Sequence, residues 1–328
     1  MRTLIFGSGA LGCLLGARLH AAGAAVAFHD DDATLRVLRQ RGISLSMADG
    51  TRLYLPPSVI ETRPARLGPE DLVVLAVKSH HIAAALDVLD GVLAGGATLL
   101  TLQNGLPWWY FHGHDGRNAG RVLHSVDPEG RIARRLDPAR LVGCVAYPAA
   151  ELVAPGQVRH VEGERFPVGE LDGSDSERVR AISAVFIRAG FKSPILADIR
   201  GEIWLKAWGN LAFNPVSALT AMTLAQICSF APTRSLVTQM MLEAREVASR
   251  LGVSFRVPME KRLDGAALVG AHKTSMLQDL EAGRPLEIDA ILGAVIELGQ
   301  LTEAPTPTLE AVYSLTKAID PGAVLTGT

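Results

Sequence analysis

Hydrophobic positions follow two different patterns along the chain, and the change between them divides it. Up to about residue 197, short continuous apolar runs such as Arg2–Phe6 and Asp71–Val77 alternate with longer segments of helical periodicity. Continuous apolar runs of this length are typical of strands buried in a parallel sheet. Beyond Asp198 the pattern is almost purely helical. The sequence therefore predicts an α/β domain over residues 1–197 and an all-α domain over residues 198–328.

The first apolar run leads directly into a glycine-rich motif. Arg2–Phe6 is followed by Gly7-Ser8-Gly9-Ala10-Leu11-Gly12 and then by a helical segment that ends near Gly23. In this order of strand, loop and helix, the first glycine permits a tight turn and the second lets a pyrophosphate approach the backbone, while the third allows close packing. The pyrophosphate charge would then lie on free N–H groups at the helix start. The motif predicts a Rossmann-type dinucleotide site; the alternative is a tight turn without function.

An acidic run after the second predicted strand bears on which dinucleotide is bound. The strand Ala25–His29 is followed by Asp30-Asp31-Asp32, and Asp31 lies nineteen residues after Gly12. A carboxylate at this distance accepts hydrogen bonds from the adenosine ribose and repels a 2′-phosphate. Asp31 therefore favours NAD over NADP. Two alternatives stay open: the run is a solvated loop, or Arg36 or Arg39 binds a 2′-phosphate.

Two further strands end in polar residues. Lys78 follows the run Asp71–Val77, and Asn104-Gly105 follows the run Ala97–Gln103. Ligands of an open α/β sheet bind at the carboxyl ends of its strands. Lys78 and Asn104 are therefore candidate contacts to cofactor or substrate. The alternatives are a solvent-exposed lysine and an asparagine that serves as a turn residue with positive φ.

Two local patterns near these strands predict structure rather than chemistry. The alternation in Ile43–Pro56 predicts a hairpin with a type I′ turn at Asp49-Gly50. After the second polar strand end comes an aromatic insertion, Trp108–Phe111, followed by His112 and His114. On a strand these two histidines would share one face, but no clear third ligand accompanies them, so no metal site is predicted.

The segment Arg200–Thr220 places polar side chains at one helical spacing inside an apolar run. Glu202, Lys206, Asn210 and Asn214 are each four residues apart, so on a helix they form one slowly drifting stripe. A proline follows Asn214, and the helix is expected to end or kink there. The lysine either faces solvent or lines a cleft where its ammonium meets a ligand. The flanking tryptophans and the two amides favour the cleft.

The segment HKTSMLQDLEAGRPLEID contains a second group of candidates. Thr274 or Ser275 is predicted to cap a short helix that Gly283 ends, and Pro285 suits the first turn of a helix that starts near Glu287. Ser275 would then stand among unpaired N–H groups, which suit a small carboxylate. Glu287 would lie at a helix start, where a negative charge is favourable. From spacing alone, capping and a helix-dipole interaction explain both residues.

Composition excludes several classes of function. The chain has 328 residues, of which 48% are hydrophobic and 20% charged, and a formal net charge of −2. This balance argues against a general binder of nucleic acid or of anionic membranes. Cys13, Cys144 and Cys228 are far apart and odd in number, which fits neither a disulfide framework nor a metal-ligand set. No apolar run reaches the ~20 residues of a membrane span. We therefore expect a cytoplasmic protein without membrane or nucleic-acid partners.

Taken together, the motifs resemble those of the ketopantoate reductase (2-dehydropantoate 2-reductase) family over nearly the whole chain. The glycine motif is generic, whereas the lysine-asparagine helix and the SMLQD…GRPxEID segment are specific. The resemblance rests on GSGALG, Lys78, Asn104-Gly105, Ile203-Trp204-x-Lys206, Asn210, Asn214-Pro215 and KTSMLQDLEAGRPLEID. It implies a Rossmann domain followed by an all-helical domain, with the active site in the cleft between them. The activity implied is the reduction of a small 2-oxo acid by NAD(P)H.

The resemblance also implies roles for individual residues. Lys206 would protonate the carbonyl oxygen as the nicotinamide delivers hydride to the carbon, and Glu287 would bind the substrate hydroxyl. The expected contacts to the rest of the substrate are Asn210, Asn214 and Ser275, and those at the junction with the cofactor are Asn104 and Lys78. Hydride addition builds negative charge on one oxygen, so a cation placed there stabilises the transition state more than the ground state.

Two departures from the family pattern leave alternatives open. NADPH-using members carry an arginine just past the second strand, where this chain has Asp31. The insertion Trp108–Phe111 lies beside the expected cleft, so the acid reduced could differ from ketopantoate. An opine-type or 3-hydroxyacid dehydrogenase and a non-catalytic dinucleotide sensor are the other hypotheses. A homodimer is considered, although the sequence does not determine the oligomeric state.

Overall fold

The computed structural model describes residues 1–62, 67–69, 71–114 and 117–325, apart from the side chains of residues 324 and 325. It separates into two compact units. The first comprises Met1–Gln103, Phe111–Arg121 and Arg131–Ile199, and the second comprises Asn104–Tyr110, Val122–Gly130 and Arg200–Thr328. The second unit thus contains two short segments from the amino-terminal half of the sequence. The domain boundary expected after residue 197 stays a prediction.

The first unit is built on two sheets. Its strands are β1 (Thr3–Phe6), β2 (Val26–His29), β3 (Ile43–Ser46), β4 (Arg52–Leu55), β5 (Leu72–Leu75), β6 (Thr98–Thr101), β7 (Leu141–Cys144), β8 (Ala149–Ala154), β9 (Gln157–Glu162) and β10 (Val168–Glu170). The larger sheet has the order β10-β7-β6-β5-β1-β2 and is parallel except for β10. Every residue of β1, β5, β6 and β7 is buried, as their continuous apolar sequences require. The predicted α/β fold is confirmed.

The smaller sheet, with the order β4-β3-β9-β8, contains the predicted hairpin. β3 and β4 pair antiparallel, which confirms the hairpin, but the type I′ turn is wrong. Met47 N–H donates to the Thr51 carbonyl at 2.8 Å and Gly50 N–H donates to the Met47 carbonyl at 3.0 Å, which leaves a three-residue loop. Only Gly50 of the Asp49-Gly50 pair has a positive φ, at 86°. A turn followed by one left-handed glycine replaces the two left-handed residues that a type I′ turn needs.

Helices surround the larger sheet and make up most of the second unit. They are α1 (Ala10–Ala21), α2 (Asp32–Arg41), α3 (Ile82–Leu93), α4 (Arg131–Arg135), α5 (Glu177–Arg188), α6 (Ile199–Thr220), α7 (Leu224–Ser229), α8 (Ala231–Arg250), α9 (Met259–Leu268), α10 (Ser275–Glu281), α11 (Ala294–Thr302), α12 (Pro307–Ala318) and α13 (Pro321–Leu325). The expected all-helical carboxyl-terminal part is confirmed. Within the described ranges, no helix combines the length and the apolarity needed to cross a bilayer.

Helix α6 is the central element of the second unit. Trp204 and Trp208 are fully buried, and the Trp208 ring stacks on Phe255 with ring centroids 4.1 Å apart. One of the two sequence expectations was that the helix ends at Asn214. This expectation is wrong, because α6 continues through Pro215 to Thr220. Inside a helix, proline removes one N–H from the helical ladder, and its ring crowds the carbonyl four residues before it. Packing on nearly all sides of α6 explains why this loss does not end the helix, because burial stabilises the flanking turns.

Candidate active site

The glycine loop of the first unit has the geometry that its spacing predicts. Gly7 adopts φ = +106°, and a Cβ added to it would lie 2.8 Å from Val77 N. A Cβ added to Gly12 would lie 1.9 Å from the Gly7 carbonyl oxygen, so the third glycine is needed for the helix to pack against the loop. Gly9 faces open space, since no heavy atom of the described residues lies within 4 Å of the added Cβ. The open glycine is the one that the motif assigns to the pyrophosphate.

The start of α1 also fits an anionic ligand. The helix begins at Ala10, directly after Gly9, with no side-chain cap and no acidic residue in its first turn. Its free N–H groups and the positive end of its dipole therefore lack a negative partner from its own first turn. Ala10 and Leu11 are only half-buried. Within the described residues, the buried Ser8 hydroxyl has no hydrogen-bond partner. These features fit a dinucleotide pyrophosphate.

Two adjacent residues of the acidic run after β2, Asp30 and Asp31, make different contacts. Asp30 accepts a short hydrogen bond from Ser8 N–H in the glycine loop, and its other oxygen accepts from Asp31 N–H at 2.8 Å. Asp31 instead caps α2, since its carboxylate accepts from Thr34 N–H at 2.8 Å and from the Thr34 hydroxyl at 3.1 Å. These bonds, the Thr34 N–H foremost, lower the pKa of Asp31. The expectation that Asp31 contacts the ribose stays a prediction, but Asp30 is the carboxylate that reaches the loop.

Lys78 lies at the same end of the large sheet. It is half-buried after β5, where its carbonyl accepts from His81 N–H at 3.0 Å. Burial lowers the pKa of His81, the charge of Lys78 lowers it further, and Asp30 raises it. His81 is therefore within electrostatic reach of both residues. Lys78 and Asp30 lie at the edge of the sheet where the strand order predicts ligand binding.

Gln103, which the sequence patterns did not single out, ties two strand ends together. Its Nε2 donates to the Leu75 carbonyl at 2.8 Å and to the Val77 carbonyl at 3.0 Å. Both partners are acceptors, so the amide orientation is fixed and Oε1 faces the other way. Gln103 thereby holds the end of β5 close to Gly7. In the sequence, only the position of Gln103 at the end of an apolar strand could have indicated this role.

Asn104 links the two predicted catalytic residues within the second unit. Lys206 Nζ donates to Asn104 Oδ1 at 2.7 Å, and Asn104 Nδ2 donates to Glu287 Oε2 at 3.2 Å. The side chains come from positions 102 and 183 residues from Asn104 in sequence. All three are half-buried, and Lys206 and Asn210 are two of the few residues on α6 that are not buried. The structure therefore places a cation, an amide and a carboxylate in one hydrogen-bonded group.

The backbone of the Asn104 segment explains how this group is held. Gly105 adopts φ = +79°, and a Cβ there would lie 2.1 Å from the Ala290 carbonyl oxygen. Leu106 N–H donates to that same oxygen at 2.9 Å. The left-handed residue is thus Gly105, and the interpretation of Asn104 as a turn residue with positive φ is wrong. Close contact with the Ala290 carbonyl fixes the backbone on which the Asn104 side chain stands.

Ala290 lies in a π-helical segment, Asp289–Gly293, that precedes α11. The Glu287 carbonyl accepts from Ile291 N–H at 3.1 Å, so Glu287 stands at the start of this helical stretch, as predicted. Pro285, however, precedes the helix rather than occupying its first turn, which corrects that expectation. A π-helical turn includes one more residue than an α-helical turn, and such turns are frequent at functional sites. Nothing in the hydrophobic pattern signals it.

The remaining predicted substrate contacts lie outside this hydrogen-bonded group. Asn210 is half-buried and Asn214 buried on α6, while Ser275 is exposed as the first residue of α10. Thr274 rather than Ser275 caps α10, because its hydroxyl accepts from Leu277 N–H. Glu202, the first residue of the polar stripe, is buried. It pairs with a loop arginine, Arg256, at 2.5 Å.

The aromatic insertion packs against the helical unit. Trp108, Trp109 and Tyr110 are buried. The Tyr110 hydroxyl accepts from Trp204 Nε1 at 2.8 Å, and the Tyr110 carbonyl accepts from Arg200 Nε at 2.9 Å. These contacts make the insertion an anchor for the amino-terminal half of α6. Among the described residues, no group of three or more His, Cys, Asp or Glu side chains could hold a metal ion.

Comparison with known proteins gives consistent matches along the chain. A family model described as ketopantoate reductase PanE/ApbA matches residues 3–173, and one described as ketopantoate reductase PanE/ApbA C terminal matches residues 198–320. The 2-dehydropantoate 2-reductase of Mesorhizobium japonicum is 47% identical over 97% of this chain and 98% of its own length. The enzyme of the same name from Halobacterium salinarum is 30% identical, with coverage of 97% and 98%.

Solved structures show the same fold. The crystal structure of 2-dehydropantoate 2-reductase from Geobacter metallireducens GS-15 has a TM-score of 0.79 at 26% identity and covers 97% of this chain and 99% of that one. A D-mandelate dehydrogenase in complex with NADH and anilino(oxo)acetate has a TM-score of 0.82 at 19% identity, with coverage of 99% and 100%. At that identity the second likeness shows the fold alone.

Proposed function

Because the chain belongs to the ketopantoate reductase family, we propose that it reduces 2-dehydropantoate (ketopantoate) to pantoate with hydride from NAD(P)H. The observation that carries this proposal is the hydrogen-bonded group of Lys206, Asn104 and Glu287. It combines a proton donor with a carboxylate that can bind a substrate hydroxyl. The reaction consumes one hydride and one proton and yields a 2-hydroxy acid and the oxidised dinucleotide.

Lys206 is the proposed general acid. When bound, the nicotinamide dinucleotide supplies the hydride that adds to the carbonyl carbon. As negative charge grows on the carbonyl oxygen, the Lys206 ammonium stabilises it and then transfers a proton to it. This interaction is stronger in the transition state than in the ground state, so it raises kcat rather than only tightening substrate binding.

Asn104 and Glu287 are proposed to orient the acid and the substrate. Asn104 holds the ammonium through Oδ1 and the Glu287 carboxylate through Nδ2, so one amide fixes the spacing of both charged groups. Glu287 accepts a hydrogen bond from the substrate hydroxyl, which the reacting 2-oxo acid carries at its far end. Asn210, Asn214 and Ser275 are proposed to bind the rest of the substrate. Ser275 supports this role by its exposure, and Asn210 by its place one turn after Lys206 on α6.

A spectrophotometric assay tests the function. We expect loss of absorbance at 340 nm when the protein is mixed with NADH or NADPH and ketopantoate, and much slower loss with pyruvate and other small 2-oxo acids. Lys206→Ala should lower kcat by a factor on the order of 10² to 10⁴, with the dissociation constant of the cofactor unchanged. Absence of turnover with every 2-oxo acid would favour the dinucleotide-sensor alternative. A preference for an amino-containing or 3-hydroxy substrate would favour the other dehydrogenase classes.

We propose separately that the chain prefers NADH, although members of the family typically use NADPH. Asp30 supports this preference, because its carboxylate contacts the glycine loop at Ser8. A fixed negative charge beside the adenosine ribose repels a 2′-phosphate. Asp31 is the matched neighbour, since its carboxylate is occupied by Thr34 as a helix cap.

Two isosteric variants separate these carboxylates. Asp30→Asn keeps an acceptor for the Ser8 N–H and removes the charge, so the NADPH/NADH ratio of kcat/KM should rise about tenfold or more. The ratio of dissociation constants, measured by quenching of protein fluorescence, should shift in the same direction. Asp31→Asn should leave both ratios within about twofold. A shift with Asp31→Asn and none with Asp30→Asn would reverse the assignment.

Location and assembly complete the proposal. The three cysteines, Cys13, Cys144 and Cys228, lie in the described part of the chain, are buried and form no disulfide bond, which supports the reducing cytoplasm as the working compartment. Burial raises the pKa of Cys13 to about 12, so its thiol is unreactive in the folded protein. A homodimer stays a prediction, and light scattering of the purified protein measures it directly.

A further inference from the structure

Both flanks of Glu287 are tied to one short stretch at the end of α12. On the amino-terminal side, Leu286 N–H donates to Asp320 Oδ1 at 3.0 Å. On the carboxyl-terminal side, the Asp289 carboxylate accepts from the Tyr313 hydroxyl at 2.6 Å and from Lys317 Nζ at 3.2 Å. The two anchor points therefore lie one residue before and two residues after the side chain that is proposed to bind the substrate hydroxyl.

A lysine joins the two anchors into one network. Lys317 Nζ lies 3.2 Å from Asp289 Oδ2 and 3.6 Å from Asp320 Oδ2. Asp320 is buried, and its Oδ1 also accepts from Gly322 N–H at 3.0 Å. Burial raises the pKa of Tyr313, and the hydrogen bond to Asp289 raises it further, so the phenol stays a neutral donor. Hydrogen bonds to ionised groups in partly buried positions are stronger than neutral ones at the surface.

The segment between the anchors needs this support. It leads into the π-helical segment Asp289–Gly293, a conformation that is rare in proteins and occurs mostly as single turns within helices. The same segment receives the Leu106 N–H at Ala290 and thereby fixes Asn104. A shift of the residues between the two anchors would displace the Glu287 side chain from the substrate hydroxyl. Misplacement of a binding group by about 1 Å can cost on the order of 10²-fold in rate.

We propose that Asp320, Lys317, Asp289 and Tyr313 are positioning residues that hold Glu287 where it meets the substrate hydroxyl. None of the four is assigned a contact with substrate. The proposal rests on the proposed function, because it takes the hydroxyl of the 2-oxo acid as the group that Glu287 binds. Its consequence is that the end of α12 controls selectivity for hydroxylated substrates.

A pair of substrates separates positioning from general stability. Ketopantoate and 3,3-dimethyl-2-oxobutanoate share one carbon skeleton and differ in the hydroxyl group that Glu287 is proposed to bind. The ratio of their kcat/KM values therefore reports the Glu287 contact, while turnover of the second substrate alone reports the integrity of the remaining site. A merely structural role would lower both values together.

The decisive variant is Asp320→Ala, with Asp320→Asn as the conservative control. Asp320→Ala removes the acceptor of Leu286 N–H, and we expect the ketopantoate preference to fall about tenfold, with kcat/KM for the other substrate changed less than about threefold. Asp320→Asn retains an acceptor and should restore most of the preference. Tyr313→Phe removes the other anchor and should lower the preference in the same direction. Tyr313→Phe also provides the test if Asp320→Ala does not fold.

Two outcomes overturn the proposal. One is an equal loss for both substrates in Asp320→Ala and Tyr313→Phe. The other is an unchanged kcat/KM for both substrates in both variants. If the unmodified protein reduces ketopantoate no better than its deoxy analogue, the assigned role of Glu287 fails instead. The positioning claim is then decided by hydrogen–deuterium exchange, since Asp320→Ala must speed exchange of the peptide that covers residues 286–293.

Discussion

Replacing Asn104 by alanine tests most directly the proposed active-site arrangement of Lys206, Asn104 and Glu287. The Asn104 side chain accepts from the Lys206 ammonium at 2.7 Å and donates to the Glu287 carboxylate at 3.2 Å. Alanine removes both bonds. The backbone contact of the neighbouring Gly105 with the Ala290 carbonyl does not depend on the side chain and should persist. The expected result is a folded protein in which the ammonium and the carboxylate are no longer held at a fixed spacing.

The size of the effect follows from these two contacts. A hydrogen bond to a charged group contributes about 1.5–3 kcal/mol. If the Lys206 contact is expressed fully in the transition state, kcat/KM falls roughly 10- to 150-fold, since about 1.4 kcal/mol corresponds to a factor of ten. The 3.2 Å contact with Glu287 is longer and should contribute at the lower end, mainly through KM for the substrate. The dissociation constant of the dinucleotide should change little.

A double-mutant cycle with Lys206→Ala shows whether Asn104 acts through the lysine. If it does, Asn104→Ala should cost much less in the Lys206→Ala background than in the unmodified protein, because the contact is already lost. The residual rates can be followed at high enzyme concentration in single-turnover experiments. Fully additive effects on kcat would refute the reasoning, as would a folded Asn104→Ala variant with unchanged kcat/KM.

Two structural predictions accompany this one. Gly105→Ala should lower the free energy of unfolding by about 2–4 kcal/mol, because it combines a positive φ with a Cβ 2.1 Å from the Ala290 oxygen. The control is Gly50→Ala, which has a similar φ and open space around the added Cβ and should lower the free energy of unfolding by only about 1 kcal/mol. Equal losses in thermal unfolding would contradict this account. Burial raises the pKa of Asp71, but hydrogen bonds from Arg2 and a backbone N–H outweigh it and lower the pKa to about 2. The carboxylate therefore contributes stability above its unfolded pKa of about 3.9, and this contribution is lost as the pH falls toward 2. Asp71→Asn should reduce the free energy of unfolding by on the order of 1–2 kcal/mol at pH 7, a difference that must shrink below pH 4 in denaturant titrations.

Local patterns predicted the elements of the fold well. The glycine spacing, the apolar runs and the helical periodicity depend on contacts close in sequence, so they indicated the parallel sheet, α1 and the helical unit. The hairpin was predicted as well, but not its turn. Asp49-Gly50 fits either a two-residue turn or the end of a three-residue loop, and only the pairing of Met47 with Thr51 decides between them.

When two adjacent residues are of the same type, motif spacing does not tell which of them binds the ligand. Asp30 and Asp31 differ by one position, and the motif tolerates either as the ribose ligand. The two residues are distinguished by helix capping rather than by motif spacing. Thr34 lies three residues after Asp31, and its N–H donates to the Asp31 carboxylate, so Asp31 caps α2. With that carboxylate engaged in the cap, Asp30 is the one that contacts the glycine loop.

The proposed active-site group of Lys206, Asn104 and Glu287 depends on departures from regular structure that no periodicity reveals. Asn104 reaches Lys206 and Glu287 because Gly105 is left-handed and because a π-helical turn brings the Ala290 carbonyl to Leu106 N–H. A left-handed backbone is open to glycine and unfavourable for most other residues, and π-helical turns are rare. Regular structure is what hydrophobic patterns encode, so a site that requires irregular backbone at two places, far apart in sequence, lies beyond their reach. The network at the end of α12 acts at the same place, because its hydrogen bonds hold the residues that lead into the π-helical turn.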